Sequence, residues 1–374
     1  MSNSILDFIL SFLKKVGFPV SGAIMNIITD YWDWDKLSGK AKSPCYNIGF
    51  FGPSRIGKTT LAASMVEEFK QFSSRINSSY LKLSALDDIT MTKISGRIND
   101  LKAGIEKGTF KTGTLEGTSD HEELKLRFEE GARKSFKQDF ILHDFPGGWI
   151  NDPQKIEQLN LKDWDVIILP IDSVVIMESV ELEHKRAARN DLCIDQVENF
   201  MRDWVKTRTN LPSLCILAPI KCETYFSTPK VSSMLADKSQ LLFNKITNEY
   251  YKDVLSIIQS SSSVECLYMP VNTIGCCYLK MPTWENGKLK GVYSISFEPG
   301  MNRWHPYGPS YLMLEICMFI CSQLRRLPKK AMSSSMESFI QATSEIDKAM
   351  RDPDATAPEI PYNRKKILQR GSFK

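Results

Sequence analysis

No apolar run in this 374-residue chain approaches the roughly 18–20 residues that a membrane-crossing helix needs. The first residues lack the early positive charge and small-residue cleavage site of a secretory leader. Histidine is scarce, at four residues, and the nine cysteines are scattered without the paired spacing of a zinc site. Cys276-Cys277 and the Cys317/Cys321 pair have no partner pair nearby, and several cysteines lie in apolar runs, as Cys215 does in 214–218. They are expected as buried thiols of a reducing compartment. Charge of one sign is also missing from most of the chain. The net charge is +4, yet residues 362–374 alone hold five basic residues and no acid, leaving about −1 elsewhere. There is thus no strong nucleic-acid signal, and no internal repeat. The expectation is a cytoplasmic protein, peripheral to a membrane only if residues 4–16 make a reversible contact. Those residues form an amphipathic helix with Asp7, Ser11, Lys14 and Lys15 on a narrow polar face.

What the chain does have is an alternation of short apolar runs and helical patterns. Val166–Asp172 and Ser213–Ile220 suit fully buried strands, and 194–208 and 237–260 carry helical periodicity. Strands are also expected at 122–128, 139–142 and 265–272, and helices to about Phe72, over 92–106 and over 310–324. Asn286-Gly287 marks a hairpin between 278–281 and 291–297, with a loop longer than two residues. The fold class is α/β: a mostly parallel sheet with helices on both faces, plus N-terminal helices, a β-hairpin insertion and a C-terminal tail. Three regions are expected: a helical segment and linker over 1–44, a main domain over 45–326, and a polar, partly disordered tail over 327–374.

The chain is organised around 46–60, which contains G-x-x-x-x-G-K-[ST] at Gly52, Gly57, Lys58 and Thr59. An apolar run precedes it and a helical pattern follows, the context a phosphate-binding P-loop requires. Gly52, Pro53, Ser54, Arg55, Ile56, Gly57, Lys58, Thr59 and Thr60 would wrap a nucleoside triphosphate. Lys58 would reach the β- and γ-phosphates, and the Thr59 hydroxyl would ligate Mg2+. A carboxylate is needed at the end of a neighbouring strand. Asp144 closes the run 140–144 and, with Phe145, Pro146 and Gly147, makes D-x-x-G. The Gly147 amide can contact a γ-phosphate, so that losing the phosphate would release the loop.

This order of pieces resembles the translation-factor-related (TRAFAC) class of P-loop GTPases over about 46–325. The resemblance implies Mg2+ and GTP/GDP as ligands and a nucleoside-triphosphate hydrolase that acts as a molecular switch. It also implies a threonine in 111–118 as a further magnesium ligand, with Thr114 favoured and Thr118 second. The class reads guanine with [NT]-K-x-D. Here Ile220, Lys221, Cys222 and Glu223 occupy those places, keeping the lysine and a carboxylate one methylene longer. Asn272 and Thr273 fall where the class touches the base through backbone. The wider layout is similar to bacterial GTPases of conflict and defence loci.

Gly148 and Trp149 follow the D-x-x-G where many of these enzymes hold a water-orienting glutamine, so intrinsic turnover is expected to be slow. His143 is expected to face away from Asp144 by strand alternation. Arg55 lies in G-x-x-R-x-G-K-[ST], which resembles guanylate-binding proteins and atlastins, where this arginine becomes an arginine finger once two nucleotide faces meet. A homodimer across that face, or another protein partner, is therefore expected. Alternatives are an ATPase on the same P-loop and a nucleotide-binding scaffold with little hydrolysis.

Overall fold

A computed structural model describes residues 45–75, 81–106, 118–130, 137–209, 211–226, 237–295, 304–326, 334–351 and 365–371. The expected helix at 4–16, the linker before residue 45 and Thr114 lie outside the described residues. Strands β1 (Tyr46–Phe50), β2 (Leu81–Ala85), β3 (Glu122–Glu130), β4 (Lys137–Asp144), β5 (Val166–Asp172), β6 (Ser213–Ile220) and β7 (Val264–Tyr268) join one sheet. β8 (Cys277–Glu285) and β9 (Lys288–Ile295) form a separate hairpin, and β10 (Lys366–Gln369) returns to the main sheet. The helices are α1 (Lys58–Arg75), α2 (Asp88–Glu106), α3 (Pro153–Glu157), α4 (Ser173–Met177), α5 (Leu182–Asp191), α6 (Ile194–Thr207), α7 (Ser239–Lys245), α8 (Lys252–Gln259), α9 (Pro309–Leu324) and α10 (Ser334–Arg351).

The strand order is β10-β7-β6-β5-β1-β4-β3-β2. Its middle, from β7 to β4, is parallel, while β2, β3 and β10 run antiparallel to their neighbours. The sheet is thus mostly parallel with antiparallel edges, and β2 was not anticipated from sequence. α1 and α9 pack together on one face with α2 and α10; α6 and α8 lie together elsewhere in the core, the latter against β7. The fully apolar strands β5 and β6 are buried along their whole length, as strands covered on both sides must be. Pro170 sits within β5 at no cost to the ladder. The last bond from the β1 side is Phe51 N–H to Ile168 O (2.9 Å), and two residues on that edge faces the loop at Gly52 instead.

Two details depart from expectation. The hairpin loop is only Asn286-Gly287, both with positive φ (50° and 70°), because Glu285 pairs with Lys288. The strands lengthen past Pro282 because the register shifts between Lys280 and Thr283, with Met281 at φ 48°. The polar tail is also partly returned to the sheet. α10 buries Phe339, Ala342 and Ile346, and β10 pairs Ile367 with Leu267. Glu315, buried within the otherwise apolar α9, forms an ion pair with Lys365, which anchors that strand. The cation that makes Glu315 tolerable lies fifty residues away, invisible to local patterning.

Beneath the strands a polar chain crosses β4, β1, β5 and β6. His143 faces away from Asp144, as alternation predicts, and its Nε2 lies 2.9 Å from Asn47 Oδ1. Asn47 N–H donates to Asp165 Oδ2 (3.0 Å), whose Oδ1 meets Arg208 Nη2 (3.0 Å). Arg208 Nε in turn donates to Ser213 Oγ (2.7 Å), so the buried pair is closed by hydrogen bonds as burial of charge demands. Trp164 covers this face, stacking on His143 at 5.5 Å between centroids and filling the space over Gly49. A Cβ on Gly49 would come within 2.0 Å of the Trp164 ring. Gly49→Ala should therefore destabilise the fold by about 1–3 kcal/mol, read as a lowered urea midpoint.

Burial, aided by the neighbouring His121, pushes the His143 imidazole from an ordinary 6.5 down to about 4. Between those two values the unfolded chain binds a proton that the folded chain refuses, so stability contributed by neutral His143 is lost as pH falls through that window. Denaturant unfolding from pH 7.5 to 4.5 should show this decline, and His143→Gln should flatten it relative to the parent protein.

Candidate functional site

The loop between β1 and α1 has the left-handed backbone that its glycine spacing requires. Gly57 has φ 113° and Arg55 φ 63°. Ile56 is buried beneath the loop, and Leu61 N–H closes the first turn on Gly57 O (2.9 Å). Lys58 is buried, with Nζ donating to Gly52 O (2.8 Å) and Pro53 O (3.0 Å), so the ammonium is held across the mouth of the loop. Burial lowers its pKa to about 8, against the opposing pull of Asp144. Arg55 is exposed, with no ion pair or hydrogen bond among the described residues.

Parallel pairing of β1 with β4 carries Asp144 alongside this loop. Its side chain is fully buried; Oδ2 accepts from Thr59 Oγ1 (2.6 Å) and Thr118 Oγ1 (2.9 Å). The two hydroxyl oxygens are 3.0 Å apart. Asp144 Oδ1 is buried without a partner among the described residues. Thr118, the second choice in the sequence, is the switch-segment threonine that the structure brings to this point. Gly147 follows where only glycine fits, since a Cβ there would lie 2.0 Å from Ser54 N. The D-x-x-G turn and the phosphate loop are therefore in backbone contact. A Cβ on Gly148 would meet nothing within 4 Å, and Trp149 instead packs on Phe145 and beneath Lys155.

Arg97 is the residue that sequence reasoning missed. It projects from α2, bonds Glu122 through Nη2, and holds that nitrogen 3.8 Å from Asp144 Oδ2. Its Nη1 is buried without a partner among the described residues. No motif marks it, because α2 lies in the long stretch between Lys58 and Asp144 and reaches the site through its packing on α1, β2 and β3.

At the far end, β6 delivers Lys221 in a left-handed conformation (φ 57°), ion-paired with Asp172. Asp172 also caps α4, accepting from Val174 N–H at 3.0 Å. Ile220, in place of the usual polar residue, packs on the phosphate loop: its Cδ1 lies 3.0 Å from where a Gly57 Cβ would be. Glu223 is nearly buried, and its Oε1 accepts from Ile274 and Gly275 N–H, both at 3.1 Å. Burial raises its pKa. The extra methylene thus lets the carboxylate grip the neighbouring loop. Asn272 is bridged to Tyr307 by backbone bonds of 2.7 and 2.8 Å, and its Oδ1 is buried without a partner among the described residues. Thr273 is buried and gives its carbonyl to Ser64 and Trp304.

A family model described as Double-GTPase 2 matches residues 47–212, which takes in the phosphate loop, Thr118 and Asp144 but stops before Lys221 and Glu223. No curated protein matches the chain. Among solved structures, there is similarity to a signal recognition particle receptor SRb-GTP/SRX complex from Chaetomium thermophilum. It is 13% identical with a TM-score of 0.34, covering 63% of this chain and 93% of that one. Sup35 complexed with GDP is 14% identical with a TM-score of 0.27, covering 66% of this chain and 41% of its own. TM-scores this low leave the assignment to the site and the family match. Among the described residues no helix is long and apolar enough to cross a membrane. The match over 47–212, together with a phosphate loop closed by its lysine and a buried aspartate joined to two threonines, supports a GTP-hydrolysing enzyme built on a P-loop.

Proposed function

We propose that the protein is a magnesium-dependent GTP switch whose two switch segments are read out by a partner. The observation that supports this most is Asp144. One of its oxygens gathers the Thr59 and Thr118 hydroxyls, while the other is buried and unanswered. A buried carboxylate oxygen without a donor is costly, and hard oxygen ligands are what Mg2+ takes, so the residues fit the ion. Thr59 and Thr118 would hold it directly, with Asp144 orienting both hydroxyls. When bound, the ion would neutralise charge on the β- and γ-phosphates.

In this reading the chain's own groups do the following. The loop 52–60 wraps the phosphates with its amides. Lys58 leaves its carbonyl partners for the phosphate oxygens, and a pKa lowered to about 8 still keeps it largely cationic near neutral pH. The Gly147 amide, pressed against Ser54, meets the γ-phosphate and couples its presence to the turn that follows. Lys221 lies along the purine, and Glu223, with the 272–275 backbone it grips, forms the edge that reads guanine. Asn272 Oδ1 supplies a further acceptor there. An ATPase reading remains the alternative for the base, since Glu223 Oε1 is already engaged.

Hydrolysis needs a charge stabiliser, because Gly148 has no side chain with which to orient water. Arg97 fits this role in cis. Its Nη2 is already paired with Glu122, but the buried Nη1 beside Asp144 keeps unused N–H donors that an arriving anion could accept from. Arg55, exposed on the loop, is available to a second copy or another partner. A scaffold with little hydrolysis is the reading that gains if neither arginine matters.

The test is turnover and nucleotide affinity across protein concentration. Thr59→Ala is expected to abolish the magnesium dependence of GTP binding. Arg97→Ala should lower kcat by about 10²–10³-fold with GTP affinity changed far less, and turnover per molecule should stay flat with concentration. Turnover that rises with concentration and collapses in Arg55→Ala would move the role to Arg55 acting between molecules. Equal competition by ATP and GTP would remove guanine selectivity.

A further inference from the structure

Two of the four histidines meet on the opposite face of β4 from Asp144. Antiparallel pairing of β3 with β4 sets Glu123 directly opposite His143, and alternation puts His121 on the same face as Glu123. The result is three ligand atoms, one from each residue, all within 4.8 Å of one another. No other group of this kind occurs among the described residues. The spacing H-x-E at the entrance to β3 and a single histidine across the ladder carries no sequence motif, because the register that joins them is tertiary.

The site is built rather than accidental. His143 Nε2 is held at 2.9 Å by Asn47 Oδ1, which fixes the proton on that nitrogen and leaves the Nδ1 lone pair facing outward. That lone pair lies 3.0 Å from His121 Nε2. Two imidazole nitrogens bound to one zinc ion at about 2.0–2.1 Å in tetrahedral geometry are separated by only a few tenths of an ångström more. Trp164 stacks on His143 and locks its ring plane, and Asn47 is itself anchored through its backbone to the buried Asp165. Glu123 is exposed, its nearest cation being Lys125 at 3.8 Å, so its carboxylate is free to turn onto an ion.

We propose that His121 Nε2, His143 Nδ1 and the Glu123 carboxylate form a binding site for a zinc-class divalent cation, distinct from the triphosphate pocket. The ion takes the place of the hydrogen that His121 Nε2 donates to His143 Nδ1, and neutral His121 moves that proton through solvent to its own Nδ1, so none is lost overall. Three protein ligands leave the fourth position to water. His121 lies three residues after Thr118, and His143 immediately precedes Asp144. An ion here therefore staples the segment bearing Thr118 to the strand bearing Asp144 from the reverse side of the sheet.

The full-length protein, stripped with chelator, is titrated with Zn2+ against a chromophoric competitor and with Co2+ by visible absorption, in the absence of nucleotide. One tight equivalent is expected, with cobalt ligand-field bands and no thiolate charge-transfer band. His121→Ala and Glu123→Gln should each lose that equivalent, and Asn47→Ala should weaken it by about 10–100-fold. His121 and Glu123 are on the surface side of the ladder, and circular dichroism should show both variants folded. Zinc binding that persists unchanged in His121→Ala, a thiolate band, or no stoichiometric binding to the parent protein would each overturn the assignment.

Discussion

The arrangement depends on one buried carboxylate. Asp144 is fully enclosed, and an ionised group in such a place is tolerated only when its lone pairs are answered. Two hydroxyls, one from the helix that begins at Lys58 and one from the entrance to β3, answer one of its oxygens. The same constraint keeps α1, the switch segment and β4 in fixed relation. The other oxygen is left without a donor among the described residues, which is the observation behind the proposed magnesium site. Lys58 shows the complementary solution: a buried ammonium satisfied by loop carbonyls that a phosphate can replace.

Sequence made part of this legible. The phosphate loop and D-x-x-G could be read because their residues are contiguous and their geometry is local: glycine supplies left-handed backbone at Gly57, and only glycine fits the approach of Gly147 to Ser54. β5 and β6 were equally plain, since a strand covered on both faces is apolar throughout. Arg97, the His121–Glu123–His143 cluster and β10 were not visible. Each depends on which surface a helix or strand meets after the chain has folded, and no fixed spacing encodes that. β2 hid for a related reason: an edge strand with one buried side carries only Leu81 and Leu83 as a signal.

The base end shows how a departure from a motif is absorbed. Ile220, where the resembled motif has a polar residue, fills the space over Gly57 by apolar contact. Glu223, longer than the expected aspartate, reaches the backbone of the next loop and fixes it. In the proposed reading, selectivity for the purine rests on how the 272–275 backbone is posed.

The placement of β10 has a consequence for the edge of the sheet it covers. β7 would present an open ladder of amides and carbonyls were it not sealed by residues 366–369, with Gln369 further clasping Ser261 and Val264. The sealing strand comes from a segment more than a hundred residues further along the chain, so the rim is bare whenever that segment is undocked. A chain in which residues 366–369 are undocked therefore carries an unguarded strand open to self-association.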